Sequence, residues 1–79
     1  MTNEIHPASV EITEDEIKMD PILGYFHYQH LPPKLLEVSK PFCVLAVSIV
    51  RTLPRNAERT MALRKLLEAK DCAVRANIG

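Results

Sequence analysis

Between residues 22 and 30 the chain reads ILGYFHYQH, and rings crowd together there. Tyr25, Phe26 and Tyr28 are three of the four Phe and Tyr residues in the sequence, Phe42 being the fourth, and His27 and His30 stand among them. An aromatic face stacks on a planar ligand such as a nucleobase, while a polar ring edge meets water or phosphate. One or two of these rings are placed to take that role. Lys34 and Lys40 come shortly afterwards, and Arg64, Lys65 and Arg75 lie further along. Fixed positive charge combined with aromatic stacking suits nucleotides, free or polymeric. His27 and His30 also have the H-x-x-H spacing of some metal sites, but no Cys or acid stands nearby to complete a ligand set, so no metal is expected.

Catalysis finds no footing in the sequence. It has no Gly-rich phosphate loop, no nucleophile beside a base, no HExxH or CxxC, and only two glycines. The expectation is a protein that is not an enzyme and needs no cofactor. Cys43 and Cys72 lie inside apolar helical patterns without metal-ligand spacing and are read as reduced core thiols, which fits a cytosolic chain. The N-terminal residues hold no apolar run suited to a signal peptide, and no stretch reaches the roughly 18–20 apolar residues of a membrane span.

The formal net charge is +0, yet its distribution is uneven. Residues 1–20 set Glu4, Glu11, Glu14, Asp15, Glu16 and Asp20 against Lys18, a balance of −5. The rest of the chain sets nine bases against Glu37, Glu58, Glu68 and Asp71, a balance of +5. Such a split predicts a folded part that prefers an anion, and an acidic segment that shields or competes for that surface.

The elements that position these residues read as helices. Residues 56–76, NAERTMALRKLLEAKDCAVRA, contain no Gly or Pro and are rich in residues that lose little side-chain freedom in a helix. Asn56 is placed to cap the first turn, and Glu58 sits beside the positive end of the macrodipole. Ala62, Leu66, Ala69, Ala73 and Ala76 form a row of mostly small residues that invites close approach of another helix, with Leu63, Leu67, Val74 and Ile78 as a larger row beside it. Arg64 with Glu68, and Asp71 with Arg75, have the spacing of helical ion pairs. Leu31-Pro32-Pro33 marks a second helix start. Over residues 34–53 the positions Leu35, Val38, Phe42, Leu45, Ile49 and Leu53 give a heptad-like seam, and Leu36, Cys43, Ala46, Val47 and Val50 broaden the apolar surface beyond it, which implies more than one partner helix. Pro41 predicts a kink or break near Ser39 and Lys40, with one kinked helix preferred; the freed Glu37 carbonyl, Ser39 and Lys40 would then meet at the bend.

The short link Leu53-Pro54-Arg55-Asn56 requires the two helices to lie antiparallel. Upstream, residues 22–30 read as an extended lead-in with Tyr25 and His27 on one side and Phe26 and Tyr28 on the other. Residues 12–19 read as a short helix capped at Thr13, with Glu16 at the capping-box position. Residues 1–10 read as a mobile tail. The fold class is therefore all-α: an antiparallel αα-hairpin of two long helices with an N-terminal acidic segment. The acidic segment is residues 1–20 and the hairpin domain residues 21–79. A chain of 79 residues buries a modest share of its surface, so assembly as a homo-oligomeric helical bundle is expected.

The runs F-H-Y-Q-H-L-P from Phe26, V-S-K-P-F-x-x-L-A over 38–46, T-L-P-R-N-A-E-R-T over 52–60 and A-L-R-K-L-L-E-A-K-D-x-A-V-R-A over 62–76 resemble a family of small phage helical-hairpin proteins. That family is related to the anti-CBASS and anti-Thoeris sponges, which sequester cyclic nucleotide alarm signals. The resemblance covers about two thirds of the chain. It implies immune evasion in the host cytoplasm, in compact hexamers that bind cyclic dinucleotides, and in some cases cyclic trinucleotides or cyclic ADP-ribose derivatives, between protomers. It also implies that Tyr25 or Tyr28 supplies the aromatic, Lys34 or Lys40 a lysine, and Arg64, Lys65 or Arg75 the basic residue of a separate trinucleotide pocket. The acidic tail and Pro41 depart from the longer sponges. The alternative reading is a small oligomeric nucleic-acid-binding or protein-interaction module.

Overall fold

The computed structural model describes residues 11–78. The tail expected over residues 1–10 and the stop at Gly79 lie outside them. All regular structure among the described residues is helical: α1 (Glu14–Met19), a 3-10 helix (Pro21–Phe26), α2 (Pro33–Thr52) and α3 (Ala57–Ile78). None of these helices is long and apolar enough to cross a membrane.

α1 begins with a reciprocal capping box. The Glu16 backbone N–H donates to the Thr13 hydroxyl at 3.1 Å, and the Thr13 N–H donates to Glu16 Oε1 at 3.0 Å. Two donors that the first turn cannot satisfy internally are thereby matched. Asp20 ends α1 with its N–H on the Glu16 carbonyl, and its own carbonyl receives the Leu23 N–H at 2.9 Å to open the next element.

That next element corrects an expectation. Residues 22–30 do not form an extended lead-in, because Pro21 starts a 3-10 helix instead. The fixed φ of proline suits a first helical position, and a 3-10 helix places residues three apart on the same side. Leu23 and Phe26 have that spacing, and both are fully buried. Period three wins here over the period two read from the alternation, since it puts two large apolar side chains into the core together. Tyr25 and His27 nevertheless face outward while Phe26 and Tyr28 face inward.

α2 runs unbroken through Pro41. Its buried stripe lies on the broader apolar surface rather than on the seam: Ser39, Cys43, Ala46 and Val47 are buried, with Leu36 and Val50 packed beside them; of the seam, Phe42 and Ile49 also pack against the core, whereas Leu45 is 50% exposed and Leu53 is also exposed. The reason lies in what α2 must accept. Both the 3-10 helix and α3 pack on it, and small side chains at 39, 43 and 46 let backbone approach where a row of leucines would hold it off. On α3 the buried residues are Arg59, Leu63 and Leu67. The small positions Ala62, Ala69 and Ala76 are exposed, so within one chain the close approach is made by α2, and from the larger row of α3 Leu63 and Leu67 enter the core while Ile78 stays exposed.

α3 starts where the sequence places it, with the Arg59 N–H donating to Asn56 Oδ1 at 2.9 Å. Near its end Asn77 Nδ2 donates to the Lys34 carbonyl at 3.2 Å, and near its start Arg59 Nη2 reaches the Val50 carbonyl at 3.4 Å. The ion pairs on α3 differ from those read by spacing: Lys65 meets Glu68 at 3.6 Å and Lys70 meets Asp71 at 3.7 Å.

The acidic segment is tied to the arginines around the link between the long helices. Glu16 accepts two bonds from Arg51, at 2.7 and 3.0 Å. Asp20 accepts from Arg55 Nη1 at 2.9 Å and from Arg59 Nη1 and Nη2 at 3.3 and 3.1 Å. Arg59 is only 5% exposed, so its charge depends on Asp20 for compensation.

Removing that compensation has a predictable cost. Asp20→Ala leaves a buried guanidinium unmatched and should lower stability in urea unfolding by about 3–5 kcal/mol, whereas Arg55→Ala, an exposed partner of the same carboxylate, should cost about 1 kcal/mol or less. The Arg51 hydrogen bonds, followed by the Thr13 backbone N–H, hold the Glu16 carboxyl at about 2 against an ordinary 4.5. A depressed carboxylate contributes its stability fully above the unfolded value and loses it as pH falls through the folded value. Stability should therefore decline between about pH 4.5 and 2, and Glu16→Gln should flatten that part of the pH profile of urea midpoints.

Candidate ligand-binding cleft

Tyr25, His27, His30, Ser39, Lys70 and Arg75 surround one open cleft of about 390 Å³, completed by neighbouring residues that include Gly24 and Asp71. Three parts of the chain bring them together. The 3-10 helix carries Tyr25 on the side opposite Leu23 and Phe26, leaving it 67% exposed at the rim. A turn closed by the Leu31 N–H on the Tyr28 carbonyl at 3.0 Å carries His30, and both imidazoles are exposed. Ser39 comes from the buried stripe of α2, while Lys70, Asp71 and Arg75 come from α3.

Lys70 is not among the residues that the sequence offered for ligand binding. Its side chain is only 14% exposed. The ammonium donates to the Tyr25 carbonyl, lies 3.7 Å from Asp71 Oδ1, and sits 5.8 Å from the centre of the Phe26 ring. A cation at that distance from an aromatic face is attracted by the ring quadrupole. Lys70 thus pins the 3-10 helix to α3 and places a positive charge inside the cleft. The missed signal was the run of spacing from Leu63 and Leu67 to Lys70, at three and four residues, which places it on the buried face of α3. Arg75, by contrast, stays exposed, with Nη2 on Cys72 Sγ at 3.4 Å.

Of the seven sequence candidates, Tyr25 and Arg75 share this cleft. Tyr28 does not line it: the ring is 5% exposed and belongs to the core with Phe26 and Leu63, because the turn after the 3-10 helix points it inward. Lys34 is exposed at the start of α2, where its carbonyl receives Asn77. Lys40 lies with Pro41, Val44, Leu45 and Ser48 along a mainly apolar groove of about 520 Å³. Ser39 and Lys40 therefore do not meet at a bend; consecutive helical residues point about 100° apart, and here they serve different surfaces. Arg64 lines a smaller hollow with Arg55, Asp20 and Ile22, and Lys65 is an exposed partner of Glu68.

The two cysteines separate in the same way. Cys43 is buried, and burial pushes its thiol up, with the charge of Lys70 opposing the shift. Cys72 is exposed and not the core thiol expected, because α3 turns its small-residue side away from α2. No disulfide joins them. Among the described residues no group of three or more His, Cys, Asp or Glu is arranged to hold a metal ion.

The cleft presents a flat ring, two imidazoles and two fixed cations against one carboxylate. That chemistry suits a planar anion. No protein-family model, curated protein or solved structure matches the chain.

Thiol accessibility offers a direct check on the packing beneath the cleft. Native protein should react rapidly with a thiol reagent at Cys72 alone, with Cys43 labelled only on unfolding, as read by peptide mass spectrometry. Equal native labelling of both would show that α2 and α3 do not pack as described.

Proposed function

We propose that this chain is a non-catalytic binding protein for cyclic oligonucleotide or cyclic ADP-ribose-type signals. In this reading it sequesters them in the host cytoplasm and so blocks a CBASS- or Thoeris-like defence. The observation that supports it best is the convergence of Tyr25, Arg75 and Lys70 on one cleft. An exposed ring offers a stacking face for a base, and the two cations offer charge for the phosphates. The resemblance of residues 26–76 to small phage helical-hairpin proteins points the same way.

Size argues for assembly. A cleft of about 390 Å³ lies near the lower end of the roughly 300–1,000 Å³ usual for ligand sites, and it is open along one side. It holds one nucleotide more readily than a whole cyclic dinucleotide or trinucleotide. In the proposed arrangement α2 and α3 form an antiparallel hairpin, and copies of it associate into a homo-oligomeric bundle, a hexamer in the resemblance. The second half of each ligand then rests against a neighbouring protomer. Exposed Leu45, Leu53 and Met61 and the small-residue row of α3 are available for such contacts.

Tracking of a nucleic-acid backbone is the weaker reading, since Arg51, Arg55 and Arg59 are already matched by Glu16 and Asp20. The +5 balance read over the later part of the chain is therefore partly spent inside the molecule.

Calorimetry against cyclic di- and trinucleotides, with native mass spectrometry of the same samples, tests the proposal. Binding of at least one ligand, its intact recovery after denaturation, and a multimer in dilute solution are expected. Tyr25→Ala should weaken binding by about 1–3 kcal/mol, the usual contribution of one stacked base. No heat with any ligand, or a ligand recovered cleaved, would reject the reading.

A further inference from the structure

We infer that the Ser39 hydroxyl and the Lys70 ammonium form the seat for a phosphodiester oxygen, with the base of the same nucleotide directed to Tyr25 at the rim. The inference rests on the nucleotide-binding reading and deepens it by assigning Lys70, which the sequence left aside, and Ser39, which the sequence placed only at the bend expected near Pro41.

Ser39 carries the argument. It is 0% exposed, it lines the cleft, and its Oγ has no hydrogen-bond partner among the described residues. A serine inside a helix commonly satisfies itself by donating to the carbonyl four residues earlier. Ser39 does not, although Thr52 does so on the same helix, at 2.6 Å to the Ser48 carbonyl. Buried polar groups are matched in nearly all folded proteins, and one that is not needs a reason. Packing alone gives none: alanine at this position would keep the close approach to α2 without an unmatched hydroxyl.

Lys70 supplies the complementary charge. It is mostly withdrawn from solvent, and an ammonium has three N–H donors, of which the Tyr25 carbonyl takes one and Asp71 stands at ion-pair distance. Lys70 and Ser39 line the same cleft, one from α3 and the other from α2. A hydroxyl that donates and an ammonium that donates both want an acceptor carrying negative charge. A phosphodiester oxygen meets that demand, and hydrogen bonds to charged groups are the strong ones. Tyr25 ties the two ends together, since its carbonyl holds Lys70 while its ring stands at the rim.

Dimethyl phosphate, a phosphodiester with no base, isolates this seat from the rest of the ligand. Titrated into the full-length isotope-labelled protein at millimolar concentration, it should shift amide resonances around Ser39, Lys70 and Tyr25, while adenosine, a base without phosphate, should leave Ser39 and Lys70 unmoved. Ser39→Ala should weaken dimethyl phosphate about 3- to 10-fold, and Lys70→Met more than tenfold. Ser39→Ala should also raise the urea midpoint of the free protein, because it removes an unmatched buried group. Loss of affinity with gain of stability is a combination that a structural serine does not give. Shifts confined to other surfaces, no shift at all, or an Ser39→Ala protein that is less stable would each overturn the assignment. Cyclic oligonucleotides that fail to bind while dimethyl phosphate still shifts Ser39 and Lys70 would reject the sponge reading and leave this seat standing.

Discussion

The buried Arg59 guanidinium and the Asp20 carboxylate that answers it form the contact on which the rest of the molecule depends. Asp20 is at once the end of α1, the residue before Pro21, and the acceptor for two arginines at the link between α2 and α3. A carboxylate with two oxygens accepts from several donors at once, and each of these donors comes from a different turn of the chain. Local backbone geometry and a long-range ion pair therefore meet in one side chain. The direction in which the 3-10 helix leaves Asp20 decides where Leu23 and Phe26 enter the core.

From that entry the cleft follows. Leu23 and Phe26 occupy the space left by small residues on α2, which lowers the 3-10 helix onto both long helices. Tyr25, lying between those two buried residues in sequence, is turned outward by the same period of three. Its backbone carbonyl is brought within reach of Lys70, whose stem lies against the core and whose charge ends beside the Phe26 ring. The ring at the rim and the cation inside the cleft are two results of one packing arrangement.

Charge is divided with the same economy. Glu16 and Asp20 engage the three arginines nearest the link and not the cations of the cleft. Lys70 and Arg75, at the far end of α3, keep their charge for the cleft. Keeping the two sets apart, one around the link and the other further along α3, gives a neutral chain a locally cationic site.

The three α-helices and several of their ends are legible in the chain alone, because these rest on local chemistry; the 3-10 helix is not. Thr13 with Glu16, Asn56 before α3, and the prolines before α2 act on backbone groups within a turn of themselves, and no distant residue changes that. The sequence also placed Tyr25 and Arg75 among the residues able to hold an anion. Long-range packing settles which stripe of α2 is buried, that Tyr28 belongs to the core, and that Ser39 and Lys40 line different surfaces. Apolar residues surround α2 widely enough to support several seams, so spacing could not choose among them. The choice was made by the 3-10 helix, which needs small residues beneath it, and its position is fixed by an ion pair between residues 39 apart in the chain. Lys70 was hidden for the same reason: a lysine reads as solvated until the surface that covers it is known.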